Sequence, residues 1–260
     1  MCDRSGHRHP VHAQTSGPKN EMENTLFIAL SKQLAIRREV DIIAHNLANT
    51  SSPGYKNEQM MFVEYLKETG TNGNVSLVQD IALARDLSEG GFKRTNNALD
   101  AAIQGKGWFV VETPEGERYT RNGHFRLNEE GELVTTTGQR LLTKNGDPIV
   151  FTPGDNDIVI KGDGKVTASG EDRGTLRVVT FENERKLDKV AGNLFRSEEP
   201  PDEKSSASIV HGVIEESNVK PVVEITRMIR ALRSYKGAQT LVEREHERQR
   251  KAIDKLTRER

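Results

Sequence analysis

The sequence predicts an α+β fold in which two long helices, one near each end of the chain, flank an inserted all-β domain. Apolar residues recur every three or four positions near both ends, which is the period of one helix face. The middle of the chain instead holds short β-branched runs separated by turn residues. Because neither terminal stripe is wide enough to be buried alone, we expect the helices to form a coiled-coil-like bundle and to contact neighbouring chains.

Residues 1–21 form a polar segment without hydrophobic periodicity, and we expect a disordered leader there. His7, His9 and His12 lie near one another in it. A metal site needs ligands that a folded segment holds in place, so we predict no metal site and no cofactor. The sequence MENTLFIALS from Met22 looks like a natural beginning, and the leader is therefore interpreted as an upstream start or as a remnant that is not native.

We assign residues 22–66 to an N-terminal helix followed by a turn. The apolar stripe of this helix consists of Phe27, Leu30, Leu34, Ile36, Val40, Ile43 and Leu47. It runs into the segment HNLANTSSPGYK, residues 45–56, where Asn46 and Asn49 can bond to backbone groups at a helix end. The Pro53-Gly54 pair cannot continue a helix, and we expect Gly54 to adopt positive φ and turn the chain out of the helix.

A polar connector over residues 67–97 is expected to lead into an all-β domain over residues 98–210. Its predicted strands are WFVV (108–111), HFRL (124–127), ELVT (132–135), RLLT (140–143), PIVF (148–151), DIVI (157–160), KVTA (165–168) and TLRVVTF (175–181). Turn residues such as Asn122-Gly123 and Asn145-Gly146 separate these runs. Many short strands at this spacing are typical of an all-β domain.

Residues 211–260 are assigned to a C-terminal helix region. Pro221 suits the first helical turn, and the preceding Ser217 and Asn218 are capping residue types. The stripe that follows has near-heptad spacing and consists of Val222, Ile225, Ile229, Leu232, Tyr235, Ala238, Val242, Ala252 and Leu256. We expect Ile225, Ile229 and Leu232 to lie in an interface.

Composition favours a filament component over an enzyme. The chain of 260 residues is 34% hydrophobic and only 5% aromatic, which is lean for one compact core of this length. Its charged residues, 30% of the total, give a net charge of −1, which argues against nonspecific nucleic-acid binding or an anionic membrane partner. Cys2 is the only cysteine, so no intrachain disulfide can form. No run of 18 apolar residues is present, so we expect neither a membrane span nor a signal-peptide core.

The sequence lacks the common catalytic motifs. GxxxxGK(S/T), GxGxxG, HExxH and GxSxG are all absent. Asp155 and Asp157 have the spacing of the first two calcium-loop ligands, but the glycine and glutamate that should follow are missing. His124 and His211 lie in or beside strand-like runs and are interpreted as ordinary histidines. We therefore predict that the chain is not an enzyme.

Four segments in order resemble the flagellar rod and hook protein family. The first is HNLANTSSPGYK, which is similar to the motif that ends the N-terminal helix of that family. The others are GGFKRTNNALDAAIQGKGWFVV (90–111), YTRNGHFRLNEEGELVTTTG (119–138) and ESNVKPVVEITRMI (216–229). The length excludes the much longer hook protein, while SNVKPV and Trp108 favour a proximal-rod member over the distal-rod protein. His45 and Lys236 depart from the family pattern.

The resemblance implies a structural subunit of the bacterial flagellar basal-body rod that self-assembles through its terminal helices. The implied partners are other rod proteins, copies of the chain itself and the flagellar type III export apparatus, with export that uses no cleaved signal peptide. The expected assembly residues are Asn46, Leu47, Asn49, Gly54, Tyr55, Ser217, Asn218, Val219, Pro221, Ile225, Ile229 and Leu232. The alternatives are a distal-rod or related axial protein, a cytoplasmic coiled-coil adaptor with a β-domain, and a β-rich carbohydrate enzyme with helical ends.

Overall fold

The structure is a computed structural model that describes residues 18–68, 74–203 and 207–258, with side chains from residue 28 onward except those of residues 62–82. The expected disordered leader lies outside the described residues except for residues 18–21, which are helical. Helix α1 spans Pro18–Ala48 and helix α2 spans Pro221–Arg258, with lengths of 31 and 38 residues. Both begin at a proline, which is tolerated in the first turn because the amide there has no partner within the helix.

Seventeen strands are described between the two helices. They are β1 Glu58–Glu68, β2 Asn74–Arg85, β3 Phe92–Arg94, β4 Ala101–Gln104, β5 Trp108–Thr113, β6 Gly116–Thr120, β7 Phe125–Leu127, β8 Leu133–Thr135, β9 Arg140–Leu141, β10 Val159–Ile160, β11 Lys165–Ala168, β12 Glu171–Thr175, β13 Val178–Val179, β14 Asp188–Val190, β15 Leu194–Arg196, β16 Ser208–His211 and β17 Val213–Glu215. Short 3₁₀ turns lie at Glu184–Lys186 and Ala191–Asn193. The stretch that we expected to be a polar connector thus contains much of a β1–β2 hairpin and strand β3.

An eight-stranded antiparallel sheet forms the centre of the β region. Its main path runs β14-β15-β6-β5-β9-β8-β7, and β13 pairs with β5. The β region also contains a separate three-stranded sheet, β10-β11-β12, and the two-stranded pairs β16-β4 and β17-β3. The β17-β3 pair matters for the site because it brings Glu215, just before α2, opposite Phe92. The last strand before α2 is therefore fixed to β3.

Two hydrophobic clusters fill the β region. The larger contains Phe109, Phe125, Leu133, Ile149 and other residues that are almost completely buried. The smaller is built around Trp108, whose ring meets the edge of Phe195 at 4.8 Å. Trp108 and Phe109 are adjacent in β5 and serve different clusters, because successive side chains of a strand point to opposite faces.

The chain forms two compact units. One comprises residues 38–61 and 81–231, and it includes the β region together with the end of α1 and the start of α2. The other comprises the described residues within 1–37, 62–80 and 232–260. The end of each helix that adjoins the β region thus belongs to the same unit as that region.

The predicted coiled-coil-like bundle is wrong, although the α+β class broadly fits. Leu30 and Leu34 of α1 are about half exposed, at 48% and 55%, and so are Ile225 and Ile229 of α2, both at 46%. The buried positions on α2 are instead occupied by the side chains of Glu224, Ala231 and Ala238. A coiled coil needs a continuous apolar seam, and residues 243–251 of α2 contain only charged residues, histidine and glutamine.

Candidate functional site at the helix junction

The segment HNLANTSSPGYK, residues 45–56, contains the end of α1 and a tight turn that leads to Gly54. The amide groups of Asn49, both backbone and side chain, donate to the carbonyl oxygen of His45, at 3.2 and 2.8 Å. Ser52 Oγ donates to Asn49 Oδ1 at 3.0 Å and holds the turn closed. Gly54 then adopts φ +66°. These bonds satisfy carbonyl groups that a helix end leaves unpaired.

Gly54 also lies directly against the β region. Its amide donates to the carbonyl oxygen of Glu215 at 2.8 Å. A Cβ atom placed on Gly54 would lie 2.4 Å from the backbone carbon of Arg121 and 2.5 Å from its oxygen. Glycine is therefore favoured here for two reasons: positive φ disfavours most side chains, and the close backbone approach leaves no room for a Cβ atom.

Asn46 connects the two helices and the strand that follows the turn. Its Nδ2 donates to the carbonyl oxygen of Glu58 at 2.7 Å and to Glu224 Oε2 at 3.3 Å. Its Oδ1 accepts from the Tyr55 hydroxyl at 3.2 Å and from the Glu58 amide at 3.1 Å. Only 1% of Asn46 is exposed, and this side chain uses both its donor and its acceptor atoms. It therefore acts as an internal cross-link.

Tyr55 is enclosed by charged groups from several segments. Lys189 Nζ lies 3.3 Å from the Tyr55 hydroxyl and 4.3 Å from the centre of its ring, and it also pairs with Glu58 Oε2 at 2.9 Å. Burial, with a further contribution from the carboxylate of Glu58, raises the pKa of Tyr55 to about 12. The phenol is thus held in its neutral form, in which it can donate to Asn46.

Glu215 is the centre of a second, fully buried cluster. Its carboxylate pairs with Lys56 Nζ at 2.7 Å and with Arg121 Nη1 at 3.5 Å, and it accepts from the Gly90 amide at 3.0 Å. Lys56 also donates to the carbonyl oxygen of Ser88 at 2.7 Å. Burial lowers the pKa of Lys56, and the charge of Glu215 opposes that change. The cluster joins the turn, the segment before β3, the loop after β6 and strand β17.

Asn218 links the start of α2 to the same segments. Its Oδ1 accepts from the Asn57 amide at 2.7 Å, and its Nδ2 donates to the carbonyl oxygens of Asp86 and Ser88 at 2.9 and 3.0 Å. The Ser217 hydroxyl accepts from the Val219 amide at 3.3 Å. Asn218 is therefore a bridge between segments, which is more than the helix cap that the sequence suggested.

The residues predicted for assembly fall into two groups. Those of the turn and the α2 entry lie at an internal junction between the helices and the β region: Asn46, Leu47, Asn49, Gly54, Tyr55, Ser217, Asn218 and Val219. Those of the α2 surface are exposed: Pro221, Ile225, Ile229 and Leu232. The structure brings the first group together but leaves Ile225, Ile229 and Leu232 of the second group about half exposed.

Sequence reasoning missed the charged members of the junction. These are Lys56, Glu58, Arg121, Lys189, Glu215 and Glu224. Three of them lie within segments that were matched to the family, namely Lys56 in SPGYK, Arg121 in YTR and Glu224 in SNVKPVVE. The charged residues inside these matched segments could have indicated an internal ion-pair cluster. A charge that is buried needs a partner elsewhere in the fold.

Two features are missing from the described residues. No group of three or more histidine, cysteine, aspartate or glutamate side chains among them could hold a metal ion. In the same part of the chain, neither helix is long and apolar enough to cross a membrane. Most polar atoms of the junction are paired with one another, although Arg121 Nε and Asn57 Oδ1 have no hydrogen-bond partner among the described residues. This arrangement supports a fixed internal connection between the helices and the β region.

Two family profiles match the chain. The profile described as "Flagellar hook protein FlgE/F/G D1 domain" covers residues 102–168, within the β region. The profile described as "Flagellar basal body rod FlgEFG protein C-terminal" covers residues 210–255, which include strand β17 and most of α2. The second match therefore includes the junction residues Glu215, Ser217, Asn218, Val219 and Glu224.

Curated relatives align over most of the chain. The flagellar basal-body rod protein FlgF of Caulobacter vibrioides is 35% identical over 241 residues, covering 90% of this chain and 98% of the relative. FlgF of Mesorhizobium japonicum is 31% identical, with 85% and 92% covered. The rod protein FlgG of Agrobacterium fabrum is 32% identical, with 81% and 90% covered. The chain therefore belongs to the flagellar basal-body rod protein family, in which it is most like FlgF, and is a structural, non-enzymatic subunit of the basal-body rod.

Proposed function

We propose that this subunit enters the proximal part of the rod by burying the exposed apolar side chains of α2 against other axial subunits, other rod proteins and copies of itself among them. The observation that carries the proposal is the exposure of Ile225 and Ile229 at 46% each, on a helix whose other face is already used within the chain. Exposed apolar residues at helical spacing mark a contact surface. A contact between two different surfaces does not close on itself and can extend a filament.

In this proposal the junction around Asn46 and Glu215 has a supporting role. It holds the end of α1 and the start of α2 on the β region, so that the exposed surface of α2 is presented in one orientation. In this proposal, residues 45–56 stabilise the fold of the subunit and do not contact other subunits directly. The exposed α2 residues make the contacts between subunits.

The proposal also includes the export route of the subunit and the class of molecule that it binds. Family membership supports export through the flagellar type III apparatus, without a cleaved signal peptide. The charge of −1, with cations and anions interspersed, supports protein partners over nucleic acid or membrane lipid. The four predicted structural regions between residues 22 and 260 remain our proposed division of the chain.

Electron microscopy of basal bodies from a deletion strain tests the proposed position. We expect non-motile cells whose basal bodies lack a rod above the inner ring, and restoration of the rod by the wild-type gene. A rod that stops only at its distal portion would assign the chain to the distal-rod position instead. Complete rods in the deletion strain would overturn the proposal.

A further inference from the structure

The β region contains two Asn-Gly pairs in different surroundings. Asn145-Gly146 follows strand β9, and Asn122-Gly123 lies between β6 and β7. A third pair, residues 72–73, lies outside the described residues. Glycine has no side chain to shield its backbone nitrogen, so this nitrogen can approach the amide carbon of a preceding asparagine. Each pair therefore has the atoms needed for an internal reaction, and the surroundings decide whether they can meet.

The pair Asn145-Gly146 lies at the tip of an exposed turn. The Gly146 amide donates to the carbonyl oxygen of Thr143 at 2.9 Å, and the Thr143 amide donates to that of Asp147 at 2.8 Å. Gly146 adopts φ +88°, and no atom lies within 4 Å of a Cβ atom placed on it. Both residues of the pair are exposed, and the Asn145 side chain forms no hydrogen bond with a described residue. The tip of the turn is therefore free of packing contacts on its outer side.

The pair Asn122-Gly123 is held by the fold. The side-chain oxygen of Asn122 accepts from the His124 amide at 3.0 Å, and the carbonyl oxygen of Gly123 accepts from the Ala101 amide at 2.9 Å. Gly123 is buried, and a Cβ atom placed on it would overlap the carbonyl oxygen of Ala101. A reaction between Asn122 and Gly123 would have to displace this packed backbone from β4.

We propose that Asn145 is a site of spontaneous deamidation in the folded subunit, whereas Asn122 is protected. The backbone nitrogen of Gly146 attacks Cγ of Asn145. The new N–Cγ bond replaces the Cγ–Nδ2 bond, and ammonia leaves with the proton of the Gly146 amide. Water from the solvent then opens the cyclic imide, which gives aspartate after attack at Cγ and isoaspartate after attack at the main-chain carbonyl carbon.

The two pairs differ in how much structure must open first. At Asn145 the reacting nitrogen has to leave the turn hydrogen bond to Thr143. At Asn122 the contact with Ala101 has to break as well, and Ala101 is a fully buried residue of the core. When opening and closing are fast, the rate of a reaction in the open state follows the population of that state. Asn145 therefore reacts much faster than Asn122.

The product changes both the charge and the backbone of the turn. Asn145 borders a cleft that Asp147, Asp172 and Arg173 also line. Deamidation adds a carboxylate to a cleft that already has those of Asp147 and Asp172. Isoaspartate also lengthens the main chain within the turn that the hydrogen bond between Thr143 and Asp147 closes. The modification thus makes this part of the surface more negative.

Peptide mapping by mass spectrometry tests the proposal on the full chain, incubated for several weeks at mildly alkaline pH. A protease that cleaves after glutamate separates the two sites, because Glu129, Glu130 and Glu132 lie between them. Exchange of ammonia for water raises the mass of the modified peptide, and fragmentation identifies the residue. We expect the modified fraction to grow at least about tenfold faster at Asn145 than at Asn122.

Two controls separate the effect of the fold from the effect of the sequence. Incubation in concentrated urea should bring the two rates close together, because both sites are then the same unfolded dipeptide. Asn145→Gln should leave its own peptide unmodified and the slow rate at Asn122 unchanged. Equal rates at both sites in the folded chain, or a faster rate at Asn122, would overturn the proposal. An Asn145 that is modified in urea but not in the folded chain would also overturn it, by showing that the turn protects this residue.

Discussion

Gly54 shows how one residue determines the path of the chain. Its φ of +66° was expected from the sequence, because a Pro-Gly pair after a helix favours such a turn. Its close approach to the backbone of Arg121 could not be expected, since that contact joins residues 67 positions apart. The contact changes the prediction for substitutions, because asparagine tolerates positive φ but still carries a Cβ atom.

We predict that Gly54→Asn and Gly54→Val both destabilise the fold, by about 1–3 kcal/mol or more, because any Cβ meets the Arg121 backbone. Urea denaturation of the purified chain measures this. Gly237→Ala is the control: no atom lies within 4 Å of a Cβ there, so alanine should stabilise α2 by about 0.5–1 kcal/mol. A Gly54→Asn protein as stable as wild type would contradict the close approach.

Tyr55 provides a prediction on pH dependence. Its folded-state pKa of about 12 exceeds the unfolded value of 10.0, so the unfolded chain releases this proton first as pH rises. The stability contributed by the neutral phenol is therefore fully present below about pH 10 and is lost as pH rises through about 12. Tyr55→Phe should cost about 1 kcal/mol at pH 7, because Asn46 loses a donor.

Denaturation curves of wild type and Tyr55→Phe between pH 7 and 12 measure this difference. The advantage of wild type should shrink above about pH 10 and reverse before the folded-state pKa is reached, because a two-unit difference in pKa is worth about 3 kcal/mol, which exceeds the cost of Tyr55→Phe at pH 7. Taking the difference between the proteins removes the effects of other groups that titrate there. A constant difference across this range would show that Tyr55 ionises equally in both states.

At the scale of the elements, Ile229 and Ala231 are two residues apart on α2 but have opposite environments. Ile229 is 46% exposed and Ala231 is 5% exposed. We predict that Ile229→Asp changes the free energy of unfolding by no more than about 0.5 kcal/mol, whereas Ala231→Asp, which buries an unpaired charge, costs about 3–5 kcal/mol. Thermal denaturation compares the two, and rod incorporation in cells should fail for both. A strain that swims normally with Ile229→Asp would show that Ile229 makes no essential contact between subunits.

The sequence was sufficient to predict both helices and seven of the seventeen described strands, because apolar periodicity and turn residues are local signals. The packing of the helices was not predictable in the same way. The exposed face and the buried face of α2 both have helical spacing. The buried face contains alanine and glutamate where a coiled coil would have leucine. The ion pairs of the junction could not be predicted from the sequence either, because Glu215 pairs with Lys56 and Arg121, which lie 159 and 94 positions away.

At the scale of the whole molecule, family membership and the rod function confirm the expectations drawn from four sequence motifs. Those motifs are informative because they coincide with the junction. Lys56, Arg121 and Asn218 come from three different matched segments and meet there. The division of the chain into regions is a prediction that the free subunit can test.

Limited proteolysis of the isolated subunit is expected to leave a resistant core within residues 98–210. The helical ends lack their assembly partners, so within residues 22–66 and 217–260 the parts outside the junction should be cleaved first, and the buried junction segments should be cleaved later. Mass spectrometry of the fragments over time gives the boundaries. A stable product that keeps both ends and loses the middle would refute this division. The Ala231→Asp variant should be degraded without a lasting core.

The central claim is that the residues around Asn46 form an internal junction, while Ile225 and Ile229 of α2 make contacts between subunits. A high-resolution electron microscopy map of the assembled basal body tests it most directly. We predict that Asn46 still contacts Tyr55 and Glu224 of its own chain, and that Ile225 and Ile229 are covered by a helix of another subunit. A map in which those two isoleucines face solvent, or in which Asn46 contacts a neighbouring subunit instead, would contradict the claim.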